Sequence, residues 1–483
     1  MKILFAGFEC LPYIKVGGVS DVLGTLPQFI AKHKHDVRII LPLHKKIDRK
    51  AFKLKNLKNQ FFIPIANEVE PAQLWESKIQ EGVTAYFIES TRFFARDEVY
   101  GTADGDYSDN PLRYIFFSRA VLEVCKIVDF KPDVIHCNDM QTGLVSAYLR
   151  TVYKTDAYFC QEKVKTIFTI HNIAYQGIYP ESIFYATGIS RDNFCSEKLE
   201  FYGNINFMKA GIVYSDLITT VSPSYAREIQ QQDQGKGLEG VLKSREKSLS
   251  GIINGIDVNS WNSQTDSTIK ANYSSKAISN KQICKADLQK ETSLPVNDNP
   301  VFGMVSRLDA QKGFDLILET IEKLENAQVI ILGLGQRYFQ DKLSELAAKY
   351  PLRIKLMLDF DNNMAHKIYA GSDFFLMPSH FEPCGLGQMI AMRYGTIPVA
   401  RKVGGLFDTI KEFNSVNKTG TGFLFDEPKP ESFLNALTRA EDNFRNKTNH
   451  EALIKNALNE DFSWNLPVKE YLKLYKNSAR KRK

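Results

Sequence analysis

Two cations five residues apart, Arg307 and Lys312, stand in Ser306-Arg307-Leu308-Asp309-Ala310-Gln311-Lys312-Gly313, directly after the apolar run 301–305. At the carboxyl end of a strand such a pair can neutralise the charge that builds on a departing diphosphate, with no metal required. An ordinary surface loop with two solvated cations is the alternative. A third cation, Lys15, precedes Val16-Gly17-Gly18, and a helix is expected to begin near Ser20 or Asp21. Glycines just ahead of a helix let backbone N–H groups approach an anion closely, with the helix dipole behind them; a tight turn would use the same glycines. Glu382, in 377–387 (MPSHFEPCGLG), leads into a helix over 388–394. Its carboxylate can accept hydroxyl hydrogen bonds and stabilise an oxocarbenium-like transition state, or simply cap the helix. His171 ends the run 165–170, His136 ends another with Asn138-Asp139 just after it, and Gly333-Leu334-Gly335 is a two-glycine turn without the full dinucleotide fingerprint.

Positioning these residues requires strands that end where the chemistry begins. Short apolar runs at 3–7, 37–41, 84–87, 134–136, 165–170 and 217–221 alternate with helical stretches at 22–32, 110–125 and 143–152. The pattern pauses over 230–247, restarts at 251–255 and continues with strands at 301–306, 329–332 and 374–377 and helices such as 313–325. Strand–helix alternation predicts parallel sheets covered on both faces. Two doubly wound units follow, with ligands expected at the carboxyl ends of the strands and in a cleft between the units. The Ser-rich stretch 262–280 reads as a surface excursion, and 464–476 as a closing amphipathic helix.

Composition narrows the class further. A chain of 483 residues accommodates two to three domains, and its net charge of +6 is small against 62 basic and 56 acidic residues. The only basic cluster is Arg480-Lys481-Arg482-Lys483, read as a solvated end, so nucleic acid is not an expected partner. Seven scattered cysteines without a C-x-x-C pair indicate neither a disulfide framework nor a zinc site. No signal peptide or stretch of about eighteen apolar residues is present, so the expected location is the cytoplasm, without membrane association.

Taken in order, Lys15-Val16-Gly17-Gly18, 168–177 (FTIHNIAYQG), 206–224 (NFMKAGIVYSDLITTVSPS), 251–257 (GIINGID), 305–313 (VSRLDAQKG) and 382–386 (EPCGL) resemble the bacterial glycogen and plant starch synthases. These are retaining glycosyltransferases of the GT-B fold, an α/β architecture of two doubly wound Rossmann-like domains facing across a cleft. The resemblance covers nearly the whole chain. It implies an N-terminal domain over 1–247 on the acceptor side, a C-terminal domain over 248–462 on the nucleotide-sugar side, and a helix over 463–483 crossing back to the first.

The resemblance also implies roles. Arg307 and Lys312 match the pair that stabilises the departing nucleotide, Glu382 the carboxylate near the glucose, His171 the histidine near its ring, and Asp139 the N-domain aspartate. Lys15, Gly17 and Gly18 match the donor-diphosphate contact, and Cys384, Gly385 and Leu386 the donor loop. Asn254 and Gly335 fall at donor-lining positions, and Phe360 stands where a tyrosine near the base is often found. Three positions depart from the pattern: Val16 replaces a common Thr, Asp139-Met140-Gln141 replaces Asp-Trp-His, and Ile390 stands where sucrose synthases carry a second Glu. The implied reaction moves glucose from ADP-glucose onto the non-reducing end of an α-1,4-glucan such as glycogen, with retained configuration and with neither cofactor nor metal. UDP-glucose as donor, another acceptor, a sugar-nucleotide epimerase and a non-enzymatic glucan-binding protein are the rival readings.

Overall fold

The computed structural model describes residues 1–79, 82–102, 105–160 and 164–480, without the side chains of 477–480. Lys481, Arg482 and Lys483 of the C-terminal basic cluster lie outside the described residues. The chain forms two compact units: Met1–Val221, Ala226–Asn254 and the segment from Trp464 onward make unit 1, while Ser222–Tyr225 and Gly255–Ser463 make unit 2.

Unit 1 is built on a nine-stranded sheet. Its strands are β1 (Lys2–Ala6), β2 (Asp36–Pro42), β3 (Lys55–Ile65), β4 (Glu68–Lys78), β5 (Thr84–Glu89), β6 (Val134–Asn138), β7 (Lys165–Ile170), β8 (Leu217–Thr220) and β9 (Leu249–Gly251), in spatial order β9-β8-β7-β6-β1-β2-β5-β4-β3. The strands from β9 across to β5 are parallel. The central ones are mostly apolar because helices cover both faces: Ile3, Leu4, Phe5 and Ala6 of β1 are at most 1% exposed. After β1 the chain moves to one side through β2 and β5, then returns to lay β6 on the other side of β1. That reversal is the topological switch point, where open α/β sheets place their ligands.

The hairpin β3–β4 does not appear in the strand pattern read from the sequence. It adds antiparallel to β5. Its burial alternates, with Phe61, Ile63 and Ile65 inward and Phe62 and Pro64 outward, as suits a sheet with one solvated face. The strand β9 also differs from expectation: the run at 251 closes the first sheet by pairing with β8 and does not open the second.

Helix α1 (Gly18–Ala31) starts two residues earlier than expected, at the second glycine of the Lys15 motif. The last helix, α2 (Asn465–Arg480), belongs to unit 1, where the Tyr475 hydroxyl lies 2.8 Å from His136 Nδ1. His136 Nε2 lies 2.6 Å from Thr169 Oγ1, so this histidine is a buried tie between β6, β7 and the closing helix.

Unit 2 contains a six-stranded parallel sheet of β10 (Val301–Val305), β11 (Gln328–Leu332), β12 (Ile354–Met357), β13 (Phe374–Met377), β14 (Ile397–Arg401) and β15 (Phe423–Phe425). The order is β12-β11-β10-β13-β14-β15, which puts its switch point between β10 and β13. The helix expected over 313–325 is shorter: Gly313 takes a left-handed conformation (φ 74°), helix runs over Phe314–Thr320, and a 3₁₀ turn follows over Ile321–Lys323. The stretch 262–280 is tied into the unit. Tyr273 is buried with its hydroxyl 3.1 and 2.9 Å from the carbonyls of Ala370 and Tyr394, and Asp266 lies 2.7 Å from His366, which stacks on Trp261. The seven cysteines are free thiols, and among the described residues no helix is long and apolar enough to cross a membrane.

Candidate active site

In unit 1 the loop after β1 and the turn after β6 flank the switch point. The Lys15 motif occupies the β1 loop. Lys15 Nζ is 2.9 Å from Asp21 Oδ1 in the first turn of α1, with its side chain 40% exposed. The Gly17 amide is already engaged, donating to Glu9 Oε2 at 2.7 Å, as does the Val16 amide at the same distance. Gly18 is open: a Cβ built there would meet nothing within 4 Å. Glu9 was not among the candidate residues. It is 3% exposed and also accepts from the Tyr100 hydroxyl at 2.9 Å. Burial pushes its carboxyl above the usual range, against the pull of the Gly17, Val16 and Tyr100 hydrogen bonds. The signal available in the sequence was a charged residue just past an apolar strand end.

Asp139 follows β6 in a conformation that only glycine adopts readily, φ 56° and ψ 179°. Such backbone strain persists where surrounding structure enforces it and is concentrated at functional sites. The Asp139 carboxylate accepts the His171 amide at 2.8 Å, yet burial, with Glu9 adding repulsion, raises its pKa to about 7. His171 follows β7. Its Nε2 lies 2.9 Å from Asn138 Oδ1, whose amide nitrogen is turned toward the carbonyls of Ala6 and His136. That arrangement places the imidazole proton on Nε2, and burial lowers the pKa to about 3, so the ring is neutral at pH 7. Met140 does not stand out as a platform. It is buried, with its sulfur packed where a Cβ on Gly177 would come within 2.8 Å. Asn254, three residues beyond β9, falls in unit 1, and its buried Oδ1 has no hydrogen-bond partner among the described residues.

Unit 2 assembles the second group at its own switch point. Lys312 Nζ pairs with Glu382 Oε2 at 2.6 Å, the two side chains 18% and 7% exposed, and Ser379 Oγ donates to the same oxygen at 3.1 Å. The loops after β10 and β13 are joined backbone to backbone, His380 N donating to Gln311 O at 2.8 Å. Gly313 is required there, because a Cβ would lie 2.0 Å from Pro378 O. Arg307 reaches Asp309 at 3.4 Å with its side chain 59% exposed. Cys384 is buried, Gly385 is left-handed (φ 72°), and Gln388 Nε2 donates to both of their carbonyls at 3.0 Å. Leu386 caps the helix Gly387–Arg393.

Gly335 has a packing role: it pairs with Leu308, and a Cβ there would lie 2.2 Å from Leu308 O. Phe360 presents a ring 79% exposed, just ahead of the helix Asn362–Gly371. The structure thus brings together Lys15, Gly17, Gly18, Asp139 and His171 in one unit. In the other it gathers Lys312, Glu382, Cys384, Gly385 and Leu386, with Arg307 on the same loop as Lys312.

Two switch points, one carrying a cation pair at the strand end and the other strained acid and neutral imidazole, fit an enzyme that handles a phosphorylated sugar. Residues 2–244 match the starch synthase catalytic domain and residues 286–460 match the group 1 glycosyl transferases. The catalytic domain of starch synthase IV from Arabidopsis thaliana, solved bound to ADP and acarbose, superposes with a TM-score of 0.91 at 32% identity, covering 99% of both chains. Sucrose-phosphate synthase from Thermosynechococcus elongatus, at 16% identity with a TM-score of 0.61 over 99% and 98% of the two chains, shares the fold. The chain is therefore a glycosyltransferase of the GT-B fold.

Glycogen synthase from Elusimicrobium minutum is 44% identical over 99% of both chains, and that from Koribacter versatilis 42% identical over 100% of this chain and 99% of its own. The chain belongs to the glycogen and starch synthase family.

Proposed function

We propose that the protein transfers glucose from ADP-glucose to the non-reducing 4-hydroxyl of an α-1,4-glucan, glycogen in the cell, with retention of configuration. The observation that carries this is the Arg307–Lys312 loop at the carboxyl end of β10, closed against Glu382. As the glycosidic bond to the diphosphate breaks, negative charge grows on the leaving oxygen. Fixed cations then bind the transition state more tightly than the ground state. Lys312 exchanges part of its contact with Glu382 for the phosphate, and the freed carboxylate orients the sugar hydroxyls. The acceptor hydroxyl attacks from the face the diphosphate leaves.

Lys15 and the Gly18 amide contact the donor diphosphate, with open space on the Cβ side of Gly18. The neutral His171 and Asp139 lie by the glucose, with Asn254 offering an unpaired acceptor. Cys384, Gly385 and Leu386 form the donor loop, and Phe360 stacks on the base. Residues 1–247 then serve the acceptor and 248–462 the donor, in the cytoplasm. The ADP held by the Arabidopsis relative supports adenine over uracil.

Radiolabelled transfer from ADP-glucose and UDP-glucose onto glycogen, maltose and small aglycones is the test. Label entering glycogen from ADP-glucose is expected. Label entering only small aglycones, or conversion of the donor sugar with no acceptor, would overturn the assignment.

A further inference from the structure

The β1 loop is held at both ends. Cys10 and Ile14 exchange backbone hydrogen bonds of 3.2 and 3.0 Å, and the Leu11 amide donates to Ser20 O at 3.0 Å. Two residues on, the Val16 and Gly17 amides both end on Glu9 Oε2. Lys15 is the one residue between these fixed points, so its backbone is pinned on either side while its side chain stays 40% exposed. The other Glu9 oxygen is fixed by Tyr100, whose ring stacks on Phe8 and whose carbonyl accepts from Asn110 Nδ2 at 2.8 Å.

Burying a carboxylate is expensive unless its lone pairs are satisfied. Here the satisfying donors are two loop amides and a hydroxyl, so the acid is placed to shape backbone.

We propose that Glu9 is a positioning residue: by holding the Val16 and Gly17 amides it sets Lys15 and the Gly18 amide in the geometry that receives the donor diphosphate. This rests on the reading of Lys15 and Gly18 as diphosphate contacts. Glu9 itself touches no substrate in this role. What matters is the reach of its oxygens more than their charge, since a neutral amide oxygen at the same place accepts the same two hydrogen bonds.

The test compares Glu9→Gln, Glu9→Asp, Glu9→Ala and Lys15→Ala by calorimetric titration with ADP, steady-state kinetics and thermal melting. Glu9→Gln preserves the reach and should stay within about tenfold of wild type in kcat/KM for ADP-glucose. Glu9→Asp keeps the charge but withdraws the oxygens by one methylene. It should lose about 100-fold in kcat/KM, the scale set by misplacing a binding group by about an ångström, with KM for glycogen unchanged. Glu9→Ala should resemble Glu9→Asp; if it does not fold, the Gln–Asp pair decides alone.

An Asp variant better than the Gln variant, or all three Glu9 variants binding ADP as wild type while Lys15→Ala binds weakly, would refute the positioning role. If Lys15→Ala leaves ADP affinity unchanged, the diphosphate reading of the loop fails first and the proposal falls with it.

Discussion

Both units place a reactive loop at a sheet reversal, yet they treat charge in opposite ways. At the β1/β6 reversal the acids Glu9 and Asp139 are satisfied by amides and a hydroxyl, and burial raises both carboxyl pKa values. At the β10/β13 reversal the acid and base neutralise one another, Lys312 on Glu382 and Arg307 near Asp309. An anion arriving at the second loop competes with carboxylates already paired to its cations. One arriving at the first meets Lys15, held by a partly exposed pair with Asp21. On the proposed function, stabilisation of developing negative charge belongs chiefly to unit 2, and shape and hydroxyl recognition to unit 1.

Breaking that contrast should have its largest effect in unit 2. Lys312→Ala should lower kcat about 10³-fold while KM for ADP-glucose moves by less than about tenfold, measured at saturating glycogen. A raised KM with intact kcat would move the charge stabilisation elsewhere. Next in size, Gly335→Ala drives a methyl into Leu308 O and should lower stability by about 3 kcal/mol, read by urea unfolding.

Asp139→Asn tests the unit 1 side. A carboxyl raised to about 7 binds more protons folded than unfolded, so its contribution is full below about pH 4 and is lost as pH rises toward 7. Wild-type stability should decline through that window by no more than about 1.4 kcal/mol per pH unit from this group. The Asn variant should lose this slope, so its advantage over wild type in thermal melting grows from pH 5 to pH 8. Equal pH profiles would show that Asp139 is not raised.

The smallest structural effect belongs to Gly18→Ala, where the space is open: stability should change by less than about 0.5 kcal/mol, while ADP affinity falls if the amide is approached closely.

Much of this was legible in the residues. The central strands are mostly apolar and buried because both faces are covered, and such runs announce themselves. Lys15, His171, Arg307, Lys312 and Glu382 could be placed at strand ends from spacing alone. The hairpin β3–β4 could not, since Lys55–Ile65 mixes lysines, asparagines and a proline with only three inward apolar residues. Glu9 was missed because its partners are backbone amides seven and eight residues away, which no side-chain motif records. Gly335 reads as a two-glycine turn at a donor-lining position, and no sequence motif records its close approach to the backbone of Leu308. The stretch 262–280 looked like solvent-facing chain because its anchors, Asp266 and Tyr273, meet partners about a hundred residues distant.

The closing helix carries a practical consequence for anyone dissecting the enzyme. Unit 1 is discontinuous in the chain, and its last piece begins at Trp464, more than two hundred residues after Asn254. A fragment ending at Asn254 would leave the His136 imidazole without both Tyr471 and Tyr475, exposing a buried aromatic seam beside β6. Expression of the front half alone should give an aggregating product. Co-expression with a peptide beginning at Trp464 is the arrangement that could restore it.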